Sequence, residues 1–268
     1  MSARSWWQRL TGAASADGSD DRGSRRRGVG PGGSAHATSA HLWFGGVGPG
    51  PWSEVSATLE VLEEPAIDRL YFWALQASFI DASGRSYGAA HTGLQYNPRH
   101  PGDRAVNWGG YGTASDVTSV LNGTRSDLPG IPGDENTRNF PWRAHVPYRF
   151  TIDRGPKGWR STVTDLITGE ATVIRELFAD GDRLNGFVVW MEIFAPCDAP
   201  RTVVRWSDLE VADRSRGQVR RATSVTTNFP DQARDCLNND SRVDEIGVLQ
   251  LTNDRRTSPT GHVLILPS

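Results

Sequence analysis

Glu192 stands two positions from an indole inside an apolar run, FVVWMEIFAP over 187–196, and that pairing is the first candidate for chemistry. An indole face stacks on a sugar ring or another flat apolar group. A carboxylate beside it accepts hydrogen bonds from hydroxyls. Alternation puts Phe187, Val189, Met191 and Ile193 on one face, and Val188, Trp190, Glu192 and Phe194 on the other. Gln95, Asn107 and Trp108 are expected to complete a binding site with Trp190 and Glu192. The competing expectation makes Trp190 core and pairs Glu192 with an arginine such as Arg205, because charges are almost never fully buried without a partner.

Two more acids carry an alternative. Asp208 and Glu210 lie two apart in RWSDLEV, on one strand face with Trp206. Glycoside hydrolysis needs two carboxylates about 5–9 Å apart, so Glu192 with Asp208 or Glu210 is the candidate set for a hydrolase or lyase. The simpler expectation is a solvated strand face with Leu209 and Val211 turned to the core. Nothing else marks catalysis: there is no GxSxG, GxGxxG or GxxxxGK[ST]. His36, His41, His91, His100, His145 and His262 show no HxH or HExxH spacing, and DCLNNDSRVDE over 235–245 lacks the spacing of an EF-hand loop. No metal, no cofactor and no catalytic residue is therefore expected. Cys197 and Cys236 form no CxxC; they pair if the chain is secreted and stay reduced in the cytoplasm.

The elements that must position these groups are strands. Gly (29) and Pro (16) are abundant beside 10 Trp and 9 Phe, the mixture of turn formers and aromatics that suits short strands. SEVSATLEVLE over 53–63 alternates with period 2, and LYFWALQASFID over 70–81 is apolar on both faces, which predicts a central strand. The passage 146–177 reads as three strands joined by the turns RGPKG and ITGE. Residues 98–140 hold one strand candidate, AVNWGGYG, in a long loop expected to border the site. No segment keeps a 3.6-residue period. The fold class is all-β: an antiparallel β-sandwich of the concanavalin or lectin-like jelly-roll type over 41–212. Residues 213–268 are expected to add strands to it or to form a small β extension. Residues 1–40, rich in Ser, Gly, Ala, Arg and Asp, are expected to be a disordered tail.

The 268 residues carry a formal charge of −2, which disfavours nucleic acid or an anionic membrane as a partner. No run of 18 apolar residues exists, and the N-terminus lacks the apolar stretch of an export signal. A cytoplasmic chain is expected, with secretion as the alternative.

The segments YFWALQASF, HTGLQYN, AVNWGGYG, FPWRAHVPYRFTI, GFVVWMEIFAP and RWSDLEV, in this order, resemble the bacterial β-sandwich family called domain of unknown function 3472. The matching points are Gly93-Leu94-Gln95, the stretch 142–148 and Glu192-Ile193-Phe194, and the likeness spans about residues 42–212. It implies a concanavalin-like jelly roll shared with lectins, carbohydrate-binding modules and some polysaccharide hydrolases and lyases. Fold alone does not give function. The functional expectation is non-catalytic binding of a carbohydrate or similar polyol on a concave sheet face. A jelly-roll glycoside hydrolase or lyase and a protein-interaction scaffold are the alternatives.

Overall fold

The structure is a computed structural model, and it describes residues 38–112, 120–229 and 236–268. The expected tail lies outside these residues except for its last three, which already belong to the first strand.

Among the described residues, sixteen strands form two antiparallel sheets, and one short 3-10 turn precedes the fifth strand. In chain order the strands are β1 (Thr38–Gly45), β2 (Glu54–Glu63), β3 (Tyr71–Ile80), β4 (Ser86–Tyr96), β5 (Arg104–Tyr111), β6 (Thr137–Asn139), β7 (Tyr148–Arg154) and β8 (Trp159–Asp165). They continue as β9 (Ala171–Leu177), β10 (Arg183–Ile193), β11 (Val203–Asp213), β12 (Gln218–Arg221), β13 (Ser224–Asn228), β14 (Asn239–Val243), β15 (Val248–Thr252) and β16 (Val263–Ile265). The first sheet runs β16-β13-β1-β10-β3-β4-β5-β6, and the second runs β14-β15-β11-β2-β7-β8-β9 with β12 paired to β11. This is the antiparallel sandwich that period-2 patterning predicts. The strands after residue 213 join both sheets.

Local chemistry explains the tight connections. Between β8 and β9 the Asp165 carboxylate accepts from the backbone N–H of Ile167 and Thr168, and Gly169 takes a φ of 76° that a side chain would strain. The passage 98–140 holds β5 and the short β6 where one strand was expected.

The main core lies between the sheets and is built from indoles. Trp73, Trp108, Trp142, Trp159 and Trp206 are fully buried in it. Three of their N–H groups find acceptors where burial would otherwise be costly, while the Trp159 N–H has no hydrogen-bond partner among the described residues. Trp108 donates to the Trp159 carbonyl at 3.1 Å, Trp142 to the Gln95 carbonyl at 2.9 Å, and Trp206 to Gln250 Oε1 at 2.9 Å. A second, smaller apolar cluster, Phe72, Ala74, Val188 and Trp190, lies on the opposite face of the first sheet.

Candidate functional site

The outer face of the first sheet follows from alternation and register. On β10, Phe187, Val189, Met191 and Ile193 enter the main core, so Val188, Trp190 and Glu192 point the other way. Pairing aligns Glu192 with Ser39 on one side and Phe72 on the other, and Phe72 with Gln95. The next row is His41, Trp190, Ala74, Gly93 and Asn107. A third contains Trp43, Val188, Gln76, His91 and Gly109. Glu192 and Gln95 thus share a face two strand spacings apart, about 10 Å between backbones, with Phe72 between them. Among the described residues, Glu192 is the one carboxylate these registers place on this face.

The amides on this face are held in fixed orientations. Gln95 Oε1 accepts from Asn97 Nδ2 at 2.9 Å, which turns the Gln95 NH2 group away from that contact. Gln76 Oε1 accepts from the Trp190 indole at 3.3 Å. Asn107 donates to Thr137 Oγ1 at 3.1 Å, while its buried Oδ1 has no hydrogen-bond partner among the described residues. Asn107, Gln95, Asn97 and Thr137 border a cavity of about 10 Å³, room for a water. Trp190 packs edge-on against Phe72 at 4.9 Å and against His91 at 5.6 Å. Burial holds His91 down at about 3 and His41 down at about 4, so both imidazoles are neutral at neutral pH.

The structure places Trp190, Glu192, Gln95 and Asn107 of the expected set on one sheet face and puts the others elsewhere. Trp108 points into the main core, because it neighbours Asn107 on one strand and successive side chains face opposite ways. Asp208 and Glu210 lie on the second sheet, bound by arginines: Arg221 to both, at 3.1 and 3.2 Å, and Arg149 to Glu210 at 2.5 Å. A two-carboxylate set of Glu192 with either acid is therefore not assembled. Arg205 does not reach Glu192 either; it joins Glu60 at 2.7 Å and Asp244 at 2.8 Å on the second sheet. Cys197 and Cys236 are bridged, with Cα atoms 5.3 Å apart. Among the described residues, no cluster of three or more His, Cys, Asp or Glu could hold a metal, and no helix is long and apolar enough to cross a membrane.

Sequence reading missed Gln76, His91 and His41 on this face. The signal was present: His91, Gly93 and Gln95 have the same parity in HTGLQ, so a side chain nominated at 95 carries 91 with it.

No family model matches the chain, and no curated protein does. Among the solved structures to which the chain is similar are two described as peptidases. One is described as SCP-B, a member of the eqolisin family of peptidases, in complex with the tripeptide Ala-Ile-His, at 10% identity and a TM-score of 0.41. Another is the scytalido-glutamic peptidase with a peptide-based transition-state analogue, at 11% identity and a TM-score of 0.41. In both cases the alignment covers 82% of this chain and 99% of the other. The expectation of non-catalytic carbohydrate binding is corrected here. The physical reason lies in the chain itself. Trp190 is 1% exposed and Trp108 0%, so neither nominated indole offers a ring face to a sugar.

Proposed function

We propose that the outer face of the first sheet is a hydrolytic site for acyl bonds of the peptide type, with Glu192 as the proton-transfer group and Gln95 as the oxyanion donor. The observation that carries this reading is the single carboxylate aligned with an oriented amide across Phe72. For two-carboxylate glycoside chemistry the other acid bordering this face, Asp134, is held in an ion pair with Arg99 at 2.6 Å. Acyl hydrolysis needs one base and one donor. Glu192 would take a proton from water as the oxygen attacks the carbonyl carbon. The Gln95 NH2 would stabilise the charge that develops on the carbonyl oxygen. Glu192 would then return the proton to the leaving amine as the C–N bond breaks. Glu192 is 6% exposed, and such low-dielectric surroundings strengthen each of these interactions. Both groups are almost fully covered, so turnover requires this face to open. The peptidases similar in fold contribute no weight at their TM-scores; the reading rests on the residues of this chain.

The closed Cys197–Cys236 bridge supports an oxidising compartment over the cytoplasmic one.

The test is cleavage of an unstructured protein substrate by the full chain, followed by mass spectrometry from acid to neutral pH. Glu192→Gln is expected to lower kcat/KM by about 100- to 10,000-fold, and Gln95→Ala by about 100- to 1,000-fold. Absence of cleavage at every pH, or a fully active Glu192→Gln chain, would end the proposal.

A further inference from the structure

Away from Glu192, the loop 120–136 and strand β9 enclose a cleft of about 950 Å³ at the edge of the sandwich. A volume of this size holds a small-molecule group with room to spare. Its wall is rich in arginine. Arg99, Arg125 and Arg175 line it, and Arg138 lies behind it on β6.

Arg175 is the decisive residue. It is 5% exposed, yet its recorded hydrogen bond is Nη1 to the Glu135 carbonyl at 2.6 Å, and its buried Nε has no partner among the described residues. No carboxylate of the described residues forms an ion pair with it. Burial and, after it, the like charge of the nearby buried Arg138 disfavour the protonated form of Arg175, and the Glu135 carboxylate opposes them only in part. The cleft's two acids are committed elsewhere. Asp134 pairs with Arg99 at 2.6 Å and accepts from the Thr137 N–H. Glu135, itself largely exposed, pairs with Arg138 at 2.7 Å. Three arginines thus line a cleft that holds two carboxylates, and the buried Arg175 guanidinium shares the field of Glu135 with Arg138 while forming no ion pair of its own among the described residues. Buried charges are stable when paired, and the guanidinium fork matches planar oxyanions in two-point contacts.

We infer that this cleft is an oxyanion-binding site, taking a carboxylate or phosphate group on Arg175 with Arg125 at its mouth. This goes beyond the hydrolytic reading and does not depend on it. Asp134 and Asn136 line both this cleft and the small cavity beside Gln95 and Asn107.

Calorimetric titration of the full chain tests this, using inorganic phosphate and, in parallel, tetra-alanine with a free C-terminal carboxylate or its amide. Binding of phosphate alone assigns the site to a free anion. Preference for the free-carboxylate peptide over its amide by at least about tenfold assigns it to a peptide terminus. In either case Arg175→Met is expected to weaken binding at least about tenfold, and Arg125→Ala to weaken it and flatten its salt dependence. Arg125 is exposed, so its variant keeps the fold and decides the matter if Arg175→Met does not express. The inference is overturned if neither anion binds at millimolar concentration, or if folded variants retain wild-type affinity. Because the readout is binding, failure here leaves the Glu192 proposal standing, and failure of cleavage leaves this one.

Discussion

His41 and His91 flank the indole of Trp190, with ring centroids 6.4 and 5.6 Å away, and burial disfavours a charge on either. In the unfolded chain both titrate near 6.5, while in the folded chain His41 titrates near 4 and His91 near 3. The folded state therefore binds fewer protons in this window. The stability carried by the neutral rings is complete above pH 6.5 and lost as pH falls through 6.5 toward 4. Each ring contributes about 1.4 kcal/mol of loss per pH unit in that range. Thermal unfolding followed from pH 7 to 5 should show a clear fall in Tm. A flat profile would mean that these rings are not buried neutral. At this scale the sequence was only partly legible. The residue type and strand parity of Glu192 could be read, and so could the need for partners. Its true neighbours could not, because Ser39 and Phe72 reach it through pairings over more than a hundred residues of chain.

Among the elements, β4 shows how closely the first sheet is fitted. A Cβ added at Gly93 would lie 1.8 Å from the Trp73 carbonyl oxygen, with the Ala74 Cα at 2.7 Å. Backbone cannot yield as a side chain end can. Gly93→Ala is expected to cost at least about 2 kcal/mol, measured by urea unfolding of the purified chain. Unchanged stability would show that β3 and β4 are not packed this closely. The strands themselves were legible because alternation is a local property: β2, β3 and β7 to β9 fall where period 2 and turn residues put them. The grouping of Asn107 with Trp108 failed against the same rule. Adjacent residues on a strand cannot share a face, and Trp108 was needed by the core, where its N–H meets the Trp159 carbonyl. The acids of β11 failed for a different reason. Which sheet a strand joins is decided by its long-range partners, and β11 sits between β15 and β2 in the second sheet.

On the scale of the whole molecule, the Cys197–Cys236 bridge fastens the turn after β10 to the approach to β14, closing 39 residues of chain. Asn238 reinforces it by donating to the Cys197 carbonyl at 2.7 Å. Closing a loop of that length restricts the unfolded chain and stabilises by about 3–4 kcal/mol in the chain-entropy account. Denaturant unfolding with and without a reductant should differ by an amount of this order, and equal midpoints would mean that the bridge is open in solution. The residues after 213, expected as an appended unit or added strands, supply partners to both sheets.

One pairing carries a kinetic consequence. β1 is seated between β10 and β13, so Thr38 meets Ile193 and His41 meets Asn228 across most of the described chain. Such contacts cannot form until distant segments have found one another, and that search slows folding to the range of about milliseconds to seconds. Once lost, the middle of the first sheet is slow to rebuild, so the endurance of the assembled molecule depends on how rarely it comes apart.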